Sequence, residues 1–169
     1  MKKIIILGSN SFAASCFIDY LLNKNYKVYG FSRSKEPTKI LLKYKFNKNI
    51  SNFRFIKFNI NYNLNFLKQF IKKNNINYIV DFLGQGMVAE SWIHPHHWYK
   101  TNIVSKVKLY DFLSKKIKLK KYIRISTPEA VGNVEGFIFE NTKANPSTPY
   151  GISHLAADLT LLAYYKFNK

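Results

Sequence analysis

The fold of this chain is decided by its opening stretch, KIIILGSNSFAA at residues 3–14. A short apolar run ends at Gly8, a small polar loop follows, and a helical pattern of apolar residues then begins. This order predicts a strand, a tight turn and the N-terminus of a helix. Such a turn collects unpaired backbone N–H groups and the positive end of a helix dipole at one point, which suits a pyrophosphate.

The glycine spacing of this turn departs from the usual phosphate-binding pattern. Gly8 occupies the first small position, but Ser11 and Ala14 stand at the later positions, where glycine is common. Alanine is tolerated where helix and strand pack closely, whereas serine is a real departure. The motif alone therefore fits a pyrophosphate site and a plain strand–turn–helix about equally well.

Composition narrows the class of protein. The chain has 169 residues, 47% of them hydrophobic, which predicts one domain with a proper core rather than a disordered chain. Its net charge of +18 could indicate a nucleic-acid partner. The lysines are scattered, however, and Lys, Asn and Ile are abundant throughout. A bias in residue usage therefore explains the charge better, and we predict no nucleic-acid partner.

The single cysteine and the N-terminus bear on the compartment. Cys16 excludes an internal disulfide, fits a reducing environment, and is predicted to be a small core side chain. The apolar run after Lys3 is too short for a signal peptide or a membrane span. We expect a cytoplasmic protein with no membrane partner.

Strand and helix patterns alternate along the chain, which favours an α/β fold with a doubly wound parallel sheet, the Rossmann fold. Strands are predicted at 3–7, 27–31, 53–59, 78–83 and 121–126. Helices are predicted at 11–24, 64–73, 98–114 and 150–165, with a short helix at 39–45. A sixth strand should follow, so we expect a sheet truncated after the helix that follows the fifth strand. Residues 1–169 then form the front part of a longer protein, without its C-terminal substrate domain.

The end of the second strand bears on cofactor choice. About 20 residues past the glycine turn, dinucleotide folds carry an acidic residue for the ribose 2′-OH of NAD, or an Arg for the 2′-phosphate of NADP. Ser32 and Arg33 stand there, and no carboxylate follows before Glu36. The pattern favours NADP, with NAD as the alternative. An exposed cationic loop would carry the same residues.

Two further strand ends carry candidate ligand contacts. Asn59 and Ile60 stand at the end of the third strand, where a polar side chain could reach the adenine amine, although a turn is an equally good role for Asn59. At the end of the fourth strand, Leu83 and Gly84 lead into a loop whose glycines allow close backbone approach at the edge where α/β sheets bind ligands.

The run His94-Pro95-His96-His97 invites a metal interpretation. Adjacent imidazoles point apart, Pro95 stiffens the loop, and the nearest carboxylate is Glu90. We therefore predict no metal site.

The last helix pairs a phenol with an imidazole. Tyr150 and His154 are four residues apart and share a helix face. A phenol titrates near pH 10, but a neighbouring cation stabilises its phenolate and allows it to act as a base. Neutral histidine does this less well than lysine. A hydroxyl and a carboxylate, Thr127 and Glu129, follow the fifth strand and can both face a cleft.

Taken together, five segments resemble the extended short-chain dehydrogenase/reductase family in its NAD-dependent epimerase/dehydratase branch. They are 8–14, 81–88, 98–102, 126–132 and 149–158, in family order over nearly the whole chain. The resemblance implies an NAD(P) cofactor, a nucleotide-sugar substrate and a homodimer in the full-length form. Within the branch, Ser-Thr-x-Glu is most similar to the dTDP-glucose and GDP-mannose 4,6-dehydratases.

The resemblance also implies roles for four residues. Thr127 matches the residue that hydrogen-bonds the sugar O4, and Tyr150 matches the catalytic tyrosine of Tyr-x-x-x-Lys. Glu129 matches the base at sugar C5, and His154 stands where the family has Lys. Pro128 replaces an acidic residue of the dTDP-glucose dehydratases, so Glu129 alone is left for the elimination step.

The predicted cofactor-binding set combines the turn, the strand ends and the last helix. It comprises Gly8, Asn10, Ser11, Phe12, Ala13, Ser32, Arg33, Asn59, Ile60, Leu83, Gly84, Tyr150 and His154. Two other functions fit the same residues. A 4-epimerase requires Tyr150, Thr127 and the cation, and a non-catalytic NAD(P)-binding protein is favoured by His154.

Overall fold

A computed structural model of the chain describes residues 1–117 and 119–167. The chain divides into two compact units. The sheet unit comprises Met1–Leu83 and Ile117–Ile125, and the helical unit comprises Gly84–Lys116 and Ser126–Lys169.

The sheet unit is built on five parallel strands. β1 (Lys3–Leu7) is central and pairs with β2 (Lys27–Ser32) on one side and β4 (Tyr78–Asp81) on the other. β3 (Phe53–Lys57) lies outside β2, and β5 (Lys121–Arg124) lies outside β4. The order β3-β2-β1-β4-β5 reverses between β1 and β4, as in the Rossmann fold. The predicted fold class is confirmed.

The core of the sheet unit forms where helix α1 (Phe12–Asn23) packs its apolar face against the central strands. Ile18 and Leu22 of this helix are fully buried, and they join the inward side chains of β1, β2 and β4. The apolar side chains of α1 recur at the helical repeat and so lie on one face. That face packs against the strand side chains that point to the same side of the sheet. The second helix, α2 (Leu64–Asn74), ends in a left-handed Asn75 cap.

The segment after β2 differs from the predicted helix at 39–45. It forms two short 3₁₀ helices, Lys39–Leu41 and Lys43–Phe46, separated by Leu42. Leu42 has extended backbone, with φ −120° and ψ 92°, and its side chain is fully buried in the core. Tertiary burial of one leucine therefore interrupts the helix.

The helical unit contains five α-helices and one π-helical turn among its described residues. They are α3 (Glu90–Ile93), α4 (Pro95–Trp98), the π turn (Tyr99–Val104), α5 (Ser105–Lys116), α6 (Pro128–Val131) and α7 (Pro149–Phe167). The predicted helix at 98–114 is thus one part of a longer helical run that begins at Pro95, a residue suited to a first helical position. None of the helices in the described part of the chain is long and apolar enough to cross a membrane.

Candidate functional site

The turn after β1 requires glycine for two reasons. Gly8 has φ +79°, and a Cβ built on it would lie 2.8 Å from the backbone N of Leu83 and the backbone C of Phe82. The backbone N–H groups of Gly8 and Ser9 both donate to the carbonyl of Phe31. The turn is therefore held between β2 and the segment after β4, where the strand order reverses and dinucleotides bind in this fold.

Ser11 explains how the turn tolerates the missing second glycine. Its φ of −73° is open to any residue, so no backbone strain results. Its Oγ accepts a hydrogen bond from the N–H of Ala14 at 3.3 Å and so caps α1. The exposed Phe12 and Ala13 form the first turn of this helix, whose N–H groups suit a pyrophosphate.

Asn10, in the turn that follows Gly8, is hydrogen-bonded to the loop after β2. Its Nδ2 donates to the carbonyl of Lys35 at 2.9 Å, and to the carbonyl and Oγ of Ser34 at 3.2 Å each. Its Oδ1 is buried and finds no hydrogen-bond partner in the part of the chain that is described. An unfilled acceptor beside a glycine turn fits a nucleotide, whose ribose hydroxyls are donors. On this evidence the residues of the turn fit a dinucleotide.

The remaining residues of the sheet unit that are predicted to bind the cofactor differ in their exposure and in their hydrogen bonds. Ser32 is nearly buried at the end of β2, whereas Arg33 is exposed. Asn59 Oδ1 accepts the N–H of Asn61 at 3.0 Å, so this side chain forms an Asx turn, the alternative role considered for it. Ile60 is buried and offers only apolar or backbone contact.

A buried carboxylate organises the end of β4. Asp81 is fully buried, and its Oδ1 accepts the N–H of Leu83 at 2.9 Å. Its Oδ2 accepts a hydrogen bond from the hydroxyl of Tyr122 on β5. Asp81 thereby fixes the position of Leu83, and sequence analysis gave this carboxylate no such role.

In the helical unit, Thr127 and Glu129 lie at the start of α6. Thr127 is the N-cap of this helix, and its Oγ1 accepts the N–H of Glu129 at 3.4 Å. The carbonyl of Glu129 lies against the Cα of Gly151, because a Cβ on Gly151 would be 2.4 Å from that oxygen. Gly151 directly follows Tyr150, so the backbone of Glu129 packs against the start of α7 beside the predicted base.

Tyr150 and His154 lie on one face of the first turns of α7. Their ring centroids are 4.7 Å apart, with planes inclined by 53°. His154 is 6% exposed, and its Cε1 and Nε2 would lie 3.3 Å from a Cβ on Gly84. The predicted pairing of phenol and imidazole is therefore present. A glycine at position 84 leaves room for the imidazole.

The N-terminus of α7 is itself suited to a phenolate. Thr148 Oγ1 accepts the N–H of Gly151 at 3.0 Å, and the N–H of Tyr150 donates to Ser91 Oγ at 3.2 Å. Tyr150 stands in the first turn of a 19-residue helix, whose dipole favours negative charge there.

A buried amide network that the sequence did not indicate supports this end of α7. Asn102, in the π turn, is fully buried, and its Oδ1 accepts the N–H of Gln85 at 2.7 Å. Its Nδ2 donates to Ser153 Oγ at 3.0 Å and more weakly, at 3.3 Å, to the carbonyl of Gln85. Ser153 Oγ in turn donates to the carbonyl of Tyr150 at 2.7 Å. One side chain thus joins the loop after Gly84 to the helix that carries Tyr150. The one indication of Asn102 in the sequence was that it ends the segment 98–102, one of the five segments that resemble the family.

The histidine run forms an exposed cluster. The rings of His94, His96 and His97 have centroid separations of 4.3–6.1 Å. Loss of solvation, followed by repulsion from His96, His94 and Lys100, lowers the pKa of His97. Among the described residues, no group of three or more His, Cys, Asp or Glu side chains is arranged to hold a metal ion.

Comparisons with known proteins define the family. A model of the family described as GDP-mannose 4,6 dehydratase matches residues 5–169. The chain belongs to this family, within the NAD-dependent epimerase/dehydratase branch of the extended short-chain dehydrogenases/reductases, and the resemblance stated from the sequence is confirmed.

Three similar proteins illustrate the relationship. An uncharacterized Schizosaccharomyces pombe protein is 31% identical over 95% of this chain and 48% of its own length. The crystal structure of dTDP-glucose 4,6-dehydratase from Bacillus anthracis in complex with NAD is 27% identical, with a TM-score of 0.81 over 99% of this chain and 51% of that one. UDP-glucuronic acid 4-epimerase from Bacillus cereus, in complex with UDP-glucuronic acid and NAD, is 29% identical, with a TM-score of 0.76 over 97% and 52%. The chain spans about half the length of the curated relatives it matches.

Proposed function

We propose that residues 1–169 form the NAD(P)-binding Rossmann domain of a nucleotide-sugar enzyme most like a dTDP-glucose 4,6-dehydratase. The observation that carries the proposal is the contact between the Glu129 carbonyl and Gly151 Cα, next to Tyr150. It supports a carboxylate and a phenol acting on one substrate. Dehydration uses both groups, whereas epimerisation at C4 uses the phenol alone.

The cofactor would be held by the turn at Gly8, the first turn of α1 and the loop after β2. We propose NADP(H) as the preferred form, because Arg33 follows the nearly buried Ser32 and both oxygens of Glu36 already accept hydrogen bonds. NAD is the alternative, since the dehydratase and the epimerase described above were solved with NAD. When bound, the cofactor supplies hydride acceptance from sugar C4 and hydride return.

In this proposal, residues of the helical unit carry out the acid–base chemistry. Tyr150 would take the proton from the sugar O4, helped by the dipole of α7 and by the neighbouring His154. Thr127 would hydrogen-bond O4 and hold it in place. Glu129 would remove the C5 proton and pass it to the C6 hydroxyl, which then leaves as water. His154 and Tyr150 would also contact the cofactor ribose.

Two alternatives remain distinct. A 4-epimerase would use Tyr150, Thr127 and His154 and leave Glu129 idle. A non-catalytic NAD(P)-binding protein would keep the turn at Gly8 and lack turnover. Further parts of the proposal are a homodimer in the full-length form, no nucleic-acid partner, and a cytoplasmic location suggested by the lone Cys16.

The test uses a protein that also carries the remainder found in the relatives. It is incubated with dTDP-glucose, GDP-mannose and UDP-glucose, and products are analysed by mass spectrometry. Loss of one water, abolished by Glu129→Gln and kept by the exposed control Glu135→Gln, supports a dehydratase. A product of unchanged mass with inverted C4 supports the epimerase. Tight cofactor binding without turnover supports the third function.

A further inference from the structure

The loop after β2 carries one carboxylate, and this carboxylate is held in place from both sides. Glu36 is the only acidic residue between Asp19 and Asp81 in the sequence. Its Oε1 accepts the hydroxyl of Tyr44 at 2.7 Å, and its Oε2 accepts the ammonium of Lys45 at 2.8 Å. Both oxygens of Glu36 therefore accept hydrogen bonds from the second 3₁₀ helix, Lys43–Phe46, and Lys45 of that helix also balances its negative charge.

The Tyr44 hydroxyl is a fixed donor. Its side chain is fully buried, and its ring lies 4.4 Å, centroid to centroid, from that of Phe53 on β3. Burial, with added effects from the hydrogen bond and charge of Glu36, raises the pKa of Tyr44 well above its ordinary value. The phenol thus keeps its proton at any working pH and continues to donate to Glu36.

Glu36 stands next to the predicted ribose site. The carbonyls of the two preceding residues, Ser34 and Lys35, accept hydrogen bonds from Asn10 in the turn that follows Gly8. A carboxylate in this loop would accept the ribose 2′-OH of NAD, and it would repel the 2′-phosphate of NADP. The orientation of Glu36 is therefore able to decide between the two cofactors.

We infer that Tyr44 and Lys45 are specificity-determining residues: by holding Glu36 against the 3₁₀ helix, they keep its carboxylate from the ribose site and favour NADP(H) over NAD(H). This inference rests on the cofactor site of the proposed function. Tyr44 and Lys45 act through Glu36 and need not touch the cofactor.

The test measures dissociation constants of NADPH and NADH by calorimetry, with residues 1–169 and four variants. Tyr44→Phe keeps the ring and frees one oxygen of Glu36, so the preference for NADPH should fall roughly tenfold. Lys45→Gln should act in the same direction. The double variant Tyr44→Phe/Glu36→Gln should regain the original preference, because the released group is then uncharged. Tyr20→Phe, on the exposed side of α1, is the matched control and should change neither constant.

The outcomes separate this inference from the proposed cofactor. If the unmodified chain prefers NADH, and Tyr44→Phe increases that preference, the proposed cofactor is wrong and the role of Tyr44 stands. If the chain prefers NADPH and the ratio of constants is unchanged in Tyr44→Phe and Lys45→Gln, the inference is overturned. Equal weakening of both cofactors, not restored by Glu36→Gln, also overturns it, because Tyr44 then only supports the fold. Should Tyr44→Phe fail to fold, Lys45→Gln and Lys45→Gln/Glu36→Gln give the same comparison.

Discussion

His154 lies one helical turn beyond Tyr150, and their ring centroids are 4.7 Å apart on the same face of α7. By the family resemblance, we propose that the imidazole stands in place of the lysine of Tyr-x-x-x-Lys. The two rings are therefore neighbours, and a lysine in place of the imidazole would add a permanent positive charge.

Replacing this histidine should improve catalysis in a protein that carries the remainder found in the relatives. A lysine at this position would place a permanent positive charge beside the phenol of Tyr150. His154→Lys should raise the rate at least tenfold, about 1.4 kcal/mol of barrier, and extend activity to higher pH. The measurement is the pH–rate profile of both forms. His96→Lys adds the same charge at an exposed position and should have no effect. A slower His154→Lys enzyme would mean that the imidazole has another task.

Arg33 should discriminate between the cofactors. In the proposed NADP(H) site the guanidinium of Arg33 binds the 2′-phosphate, so Arg33→Ala should weaken NADPH binding by roughly 1.5–3 kcal/mol and leave NADH binding nearly unchanged. Calorimetric titration of both cofactors measures the difference, with Arg54→Ala on β3 as control. Equal losses for the two cofactors would count against a 2′-phosphate contact.

Three glycine substitutions should separate conformational strain from steric contact. Gly8→Ala combines φ +79° with contacts of 2.8 Å to the backbone of Phe82 and Leu83, so it should destabilise the chain by at least about 2 kcal/mol. Gly136→Ala, with φ +77° and open space, should cost about 1–2 kcal/mol. Gly86→Ala has neither problem and should stay within about 0.5 kcal/mol of the original chain. Denaturant unfolding gives all three values, and a Gly8→Ala cost no larger than that of Gly136→Ala would disprove the steric part.

Asn102 should be worth more to stability than an average buried residue. Asn102→Ala leaves the N–H and carbonyl of Gln85 and the hydroxyl of Ser153 without their shared partner. We expect a loss of roughly 2–4 kcal/mol in the free energy of unfolding. Asn65→Ala, at an exposed position in α2, should change it by less than about 0.5 kcal/mol. Similar values for the two variants would show that the network does not stabilise the helical unit.

The histidine cluster should make stability depend on pH. Because the pKa of His97 is lowered in the folded state, the unfolded state binds the proton first as the pH falls. Stability from this group is complete above about pH 6.5 and declines below it. His97→Gln should flatten the decline in melting temperature between about pH 7 and pH 5, and an unchanged slope would contradict the shift.

The regular parts of the fold could be predicted from the sequence because they depend on local periodicity. The buried run of β1, the turn at Gly8 and the helical spacing in α1 are all short-range signals. The predicted strands β3, β4 and β5 extend beyond the observed ones by about two residues, a common uncertainty at element ends. The shared helix face of Tyr150 and His154 followed from their spacing of four residues.

Other features depend on contacts between distant residues and left no local signal. The π turn holds Asn102, whose partners lie 17 and 51 residues away. The break at Leu42 reflects burial in the core, and the packing of Glu129 on Gly151 joins two helices separated by a long loop. Glu36 and Tyr44 lie eight residues apart without a continuous helix or strand between them, so no local repeat indicates their contact.

The N-cap hydrogen bond of Ser11 has a consequence for how strongly this helix end can bind a phosphate. Its hydroxyl already accepts the N–H of Ala14, so the start of α1 has an internal acceptor in place of an external anion. A phosphate that takes this N–H replaces a hydrogen bond rather than adding one, which reduces the net gain on binding. When the phosphate leaves, the hydroxyl of Ser11 again accepts the N–H of Ala14, so the first turn of α1 stays hydrogen-bonded. The departure from glycine thus predicts that the N-terminus of α1 contributes less to nucleotide affinity than an uncapped helix end would.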